Sequence, residues 1–108
     1  MEPAFTFRNM ASTDALRAHT LEKISRLHKY TPDSLTIHVI LSVEHNSHVA
    51  EITFNTPGGQ FVGQAESGDM YGSIDHAVKV LETQLRRKKD RVTHHKGHTA
   101  TADFSAEE

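Results

Sequence analysis

The chain has no cysteine. Disulfides, thiolate zinc sites and cysteine nucleophiles are therefore excluded together. Its apolar runs are short, and none approaches the roughly 20 residues that a helix needs to span a bilayer. The opening, MEPAFTFRNM, has no basic stretch followed by an apolar one, so no secretory signal is expected. Enzyme signatures are missing as well: there is no P-loop, no G-x-S-x-G and no glycine-rich nucleotide turn. These absences predict a cytoplasmic, non-catalytic protein with no membrane association, no cofactor and no small-molecule substrate. The 108 residues fit one domain. A chain this short buries only about two-thirds of its unfolded surface, so the core is expected to be modest.

The apolar residues that are present recur with clear periods. Phe5 and Phe7 alternate with Thr6 and Arg8, which predicts a short strand over Ala4–Arg8. Thr13 then stands before DALRAHTLEKISRLHKY as a helix cap. Leu16, Thr20, Ile24 and Leu27, flanked by Tyr30, form a helical stripe, and Pro32 ends it. Ser34–Glu44 alternates cleanly, with Leu35, Ile37, Val39, Leu41 and Val43 on one side. His45-Asn46-Ser47 reads as a turn, His48–Thr56 as the next strand and Pro57-Gly58-Gly59 as a second turn. Gln60–Ser67 is the following strand, slightly weakened by Gly63. From Met70 the period is helical again, through Ile74, Ala77, Val78, Leu81, Leu85 and Val92, with Asp69 as cap. The predicted class is α+β in the order β-α-β-β-β-α. It has a four-stranded sheet with both helices packed on one face, and the first two strands are parallel. The expected boundaries are a domain over residues 1–96 and a polar, disordered tail over 97–108.

Charge is distributed unevenly. The net charge is −2, yet the stretch QLRRKKDRVTHHKGH carries six of the chain's twelve Lys and Arg residues. On a helical projection Lys23, Arg26 and Lys29 form a row beside the first apolar stripe. Lys79, Arg86, Arg87 and Arg91 lie opposite Leu81 and Leu85, while Lys88 and Lys89 flank the stripe. Two helices lying side by side would present both basic rows on one surface. Each row alone is an ordinary solvated helix face, and basic residues late in a helix also suit its dipole. Together they suit the phosphates of a nucleic acid. The scarcity of surface aromatics argues for contact with backbone and shape rather than base stacking on single strands.

The remaining candidates are weaker. His94 and His98 have the i, i+4 spacing of a helical zinc pair, but Gly97 intervenes and no HExxH pattern completes it. No metal site is expected; His94, His95 and His98 read as surface residues. His38, His45 and His48 read as part of a polar sheet edge. Asp69 and Asp75 are explained as helix-capping residues rather than as a catalytic carboxylate pair.

Several stretches carry a family resemblance: DALRAHTLEKISRLHKY, the strand end LSVEH, the PGG turn and AESGDMYGSIDHAVKVLETQLRRKKDR. From about Phe5 to His95 the chain is similar to the short form of the ribosome hibernation promoting factors, also called ribosome-associated inhibitors or sigma-54 modulation proteins. The resemblance implies a fold like that of double-stranded RNA-binding domains. It implies a protein that binds the small ribosomal subunit and its RNA in the mRNA and tRNA channel. Such a protein silences translation in stationary phase or stress and is a monomer off the ribosome. The family's basic positions fall on Lys23, Arg26 and Lys29, and on Arg86, Arg87, Lys88, Lys89 and Arg91. Val80 and Thr83 stand where many members have Lys and Arg. Lys79 is added from helix geometry as a neighbouring cation. A regulatory protein-binding module, of the kind the sigma-factor name suggests, is the alternative.

Overall fold

A computed structural model of the chain describes residues 3–31 and 36–95, with side chains described as far as Lys88. The elements are β1 (Ala4–Arg8), α1 (Asp14–Ser25), β2 (Thr36–Glu44), β3 (Ser47–Thr56), β4 (Gly59–Ser67) and α2 (Met70–His95). The sheet order is β1-β2-β3-β4. β1 runs parallel to β2, and the other neighbours are antiparallel. The predicted order, layers and strand directions are all present.

Local chemistry sets the two hairpins. His45 opens the β2–β3 turn at φ 60°, the left-handed setting that matches a tight turn to the twist of its strands. Gly59 follows the other turn at φ 138°, a setting that favours glycine. Thr56 closes that turn, accepting from the Gly58 amide at 3.2 Å and donating to the Gly59 carbonyl at 2.9 Å.

Alternation then decides what is buried. Ile37, Val39 and Leu41 of β2 and Ala50, Ile52 and Phe54 of β3 form one core with Leu16, Ile24, Ile74, Leu81 and Leu85 of the helices. Thr20 lies in this core because its hydroxyl donates to the Leu16 carbonyl at 2.8 Å. The opposite face of the sheet is polar. There Asn55 donates to Thr36 and accepts from Gln60, both at 2.9 Å. At the β1 edge, Arg17 of α1 lies 5.2 and 5.4 Å from the ring centroids of Phe5 and Phe7.

α1 is shorter than its sequence period predicts. The α-helix ends at Ser25, and the chain continues in tighter turns: Leu27 N bonds Ile24 O at 2.8 Å, and Tyr30 N bonds Leu27 O at 2.9 Å. Ile24, Leu27 and Tyr30 are spaced by three, which suits three-residue turns as well as an α-helix. Leu27 remains buried either way. Arg26 is thus the C-terminal cap of α1, and Lys29 lies in the turns beyond it.

Polar bonds and one close approach fix α2 along the sheet. At its start Asp69 accepts from the Gly72 amide at 3.0 Å, as a cap should, and Ser73 donates to the His48 carbonyl at 2.7 Å. In its middle the helix rests on Gly63, where a Cβ would run into the Ala77 carbonyl oxygen. Further on, Gln84 donates to the Val62 carbonyl at 2.8 Å and so caps an outward-facing group of edge strand β4.

Candidate nucleic-acid interface

Contact with phosphate requires cations that are accessible and not already neutralised. Lys79, Arg86 and Arg87 of α2 are exposed. Among the described residues the ion pairs use only His19, Lys23 and Arg26 on the basic side, so these three α2 cations have no carboxylate within 4.0 Å there. Lys79 and Arg86 are seven positions apart, two helical turns, and therefore share one face.

Lys88 points elsewhere. Its ammonium lies 5.6 Å from the Phe61 ring centroid, and a Cβ on Gly58 would come within 2.7 Å of it. It covers the β3–β4 hairpin, as its predicted place beside the apolar stripe requires. The backbones of Lys89 and Arg91 belong to α2, while their side chains lie outside the described residues. The predicted tail over 97–108, with His98, also lies outside them.

The α1 cations are engaged. Lys23 Nζ lies 3.8 Å from Asp75 Oδ1, and its side chain is only 25% exposed. His19 Nε2 lies 2.7 Å from the same oxygen. Asp75 does not serve the helix end, as its position in the sequence predicts; it ties α1 to α2, because α1 brings two basic side chains to its flank. Arg26 pairs with Glu22 at 3.4 Å. Lys29 places its ammonium 5.2 Å from the Tyr30 ring centroid, and the Tyr30 hydroxyl donates to Glu82 at 3.4 Å. An exposed pair such as Arg26–Glu22 holds by about 0–1 kcal/mol, little enough for a phosphate to compete.

These side chains border a groove of about 350 Å³ between the end of α1 and the middle of α2. Lys23, Arg26 and Lys79 line it, together with Asp75 and Glu82, and Leu27 and Val78 complete the lining. Of the nine cations expected at the interface, the groove brings these three together. Arg86 continues the Lys79 row, Lys29 stands by Tyr30 and Lys88 is separate.

Sequence reasoning misses the two carboxylates. Asp75 precedes Lys79, and Glu82 precedes Arg86, each by four residues, a spacing that suggests neutral pairs along the helix. No such pair forms among the described residues; both acids line the groove instead. At the two positions lacking the family's cations, Val80 is half-buried and Thr83 bonds back to the Lys79 carbonyl at 3.0 Å.

The side chains of His94 and His95, like His98, lie outside the described residues. His38 meets Thr6 at 3.0 Å on the open sheet face. His48 is half-buried on the helix-facing side, correcting its expected place on a polar edge, because it shares the alternation of Ala50 and Ile52. Among the described residues there is no group of three or more His, Cys, Asp or Glu placed to hold a metal ion.

The two helices thus place exposed cations on one side of an α+β sheet. Residues 4–93 match the family described as sigma 54 modulation protein / S30EA ribosomal protein. The chain belongs to this family. A ribosome hibernation promoting factor of Salmonella typhimurium is 34% identical over 95 residues, covering 88% of this chain and all of that protein. The solved N-terminal domain of Protein Y from Thermus thermophilus is 36% identical, with TM-score 0.73 over 82% of this chain and 99% of that one. A ribosomal subunit interface protein of Coxiella burnetii is 30% identical, with TM-score 0.74 over 83% and 99%. The family match spans every element from β1 to the C-terminal part of α2. Both helices therefore lie within the matched region.

Proposed function

We propose that this protein is a ribosome hibernation factor. It binds the small ribosomal subunit in the mRNA and tRNA channel and inhibits translation in stationary phase or stress. The observation that carries this reading is the set of cations Lys79, Arg86 and Arg87 on the outer side of α2, unpaired among the described residues, in a member of this family. Lys23, Arg26, Lys29, Lys88, Lys89 and Arg91 complete the RNA-binding set. Phosphate contacts supply affinity, and the folded body occludes the channel. The protein acts by occupancy in the cytoplasm, as a monomer off the ribosome, and needs no catalysis or cofactor.

Sedimentation with purified small subunits across a salt series tests this. Co-sedimentation is expected to fall steeply with salt and to be displaced by mRNA or initiator tRNA. Absence of co-sedimentation at low salt would reject it. The family description also names sigma-54 modulation, which favours a regulatory protein-binding module as the second reading. Binding that persists after ribonuclease treatment would support that module.

A further inference from the structure

A surface that only gathers phosphates gains nothing from carboxylates at its centre. The groove between α1 and α2 nevertheless places Glu82 and Asp75 among Lys23, Arg26 and Lys79. Asp75 is occupied by His19 and Lys23. Glu82 is not: among the described residues it has no ion pair, and its partner is the Tyr30 hydroxyl at 3.4 Å. That bond occupies Oε2 alone and holds the carboxylate from one side. Leu27 and Val78 supply an apolar lining beside it.

We propose that this groove is a base-reading subsite that takes an unpaired guanine of the bound RNA. This rests on the RNA-binding reading above and adds a specificity determinant to it. An ionised carboxylate is acceptor-only, with two oxygens side by side. The Watson–Crick edge of guanine offers the matching pair of donors, N1–H and the N2 amino group. Adenine and cytosine present a single amino group there, and uracil a single imino group. Sequence-specific reading of RNA uses such edges on unstacked bases. Lys23, Arg26 and Lys79 then meet the flanking phosphates. Tyr30 acts as a positioning residue for Glu82. The volume of about 350 Å³ has room for one nucleotide, not for a duplex.

The decisive variant is Glu82→Gln. Removing a negative charge from a phosphate-binding surface should tighten binding if Glu82 has no partner on the RNA. If it reads guanine, affinity for small subunits should instead fall roughly tenfold, in the range expected for a two-point base contact. The salt slope should stay unchanged, because every phosphate remains held. Probing the small subunit with kethoxal, which modifies guanine at N1 and N2, should show a guanine protected by the wild-type protein and exposed with Glu82→Gln. The hydroxyl-radical footprint on the RNA backbone should persist with both. Tyr30→Phe should give a smaller loss in the same direction. Thermal melts of both variants check that they are folded. Tighter binding by Glu82→Gln, or guanine protection that survives it, overturns the subsite and leaves the RNA-binding reading standing. No backbone footprint with the wild-type protein overturns both.

Discussion

His19 Nε2 lies 2.7 Å from Asp75 Oδ1 and joins α1 to α2 across 56 residues of sequence. The His19 ring also meets Tyr71 edge-on, with centroids 4.9 Å apart. Lys23 approaches the same Asp75 oxygen at 3.8 Å. Asp75→Ala removes the polar link between the helices and leaves their apolar contacts in place. Since the Asp75 side chain is 48% exposed, the loss should be only about 0.2–1 kcal/mol. Urea unfolding at low and high salt checks this. The difference from wild type should shrink in high salt, because exposed pairs are screened there. A loss that does not respond to salt would mean that the link is not electrostatic.

Arg86 and Arg87 are exposed and have no acidic partner among the described residues. Replacing both with Ala should leave unfolding within about 0.5 kcal/mol of wild type. Binding to small subunits should weaken, and the log–log salt slope should flatten by roughly 0.7–0.9 for each phosphate that is no longer neutralised. Lys88→Ala, titrated in parallel, should flatten the slope by less, because the Lys88 ammonium is held over Phe61 at the hairpin.

Gly63→Ala should be costly. The added methyl group would collide with the Ala77 carbonyl and approach Leu81 Cβ to 3.0 Å. Overpacking of this kind costs about 1–3 kcal/mol, and backbone cannot move aside as a flexible side chain can. Gly68→Ala is the control, since nothing lies within 4 Å of its added Cβ. The urea midpoint should fall for the first variant and hold for the second.

Thr13 caps α1 by accepting from the Leu16 amide at 3.1 Å. Thr13→Ala should cost about 1 kcal/mol, and Thr13→Ser should recover most of it. Because α1 carries Lys23 and leads into Arg26, the Ala variant is also expected to loosen subunit binding near its melting temperature. Melting curves and sedimentation at two temperatures test the link.

The sheet is legible in the sequence because its residues alternate from Ile37 to Val43, with Ile40 the one exception, and from Ala50 to Phe54, with turn residues between. The end of α1 is not, because Ile24, Leu27 and Tyr30 satisfy both a helix and tighter turns. Which cations are available is legible only in part. The exposure of Arg86 and Arg87 follows from the apolar stripe of their own helix, whereas Lys23 is engaged by an aspartate that the fold brings from another element. Gly63 shows in sequence only as a weak strand former; its use appears once α2 lies across it. The groove carboxylates are hidden by an i, i+4 spacing that suggests pairing along the helix, a spacing that the rotamers do not follow.

At Gly63 little but backbone separates β4 from α2, so the absent methyl group acts as a mechanical detent. The helix cannot ratchet along the strand without driving the Leu81 side chain or the Ala77 carbonyl into the sheet. Gln84, bonded to Val62, adds a second catch further along the same pair. Two fixed points, Gly63 under Ala77 and Val62 under Gln84, therefore set where along β4 the stretch bearing Arg86 and Arg87 comes to lie.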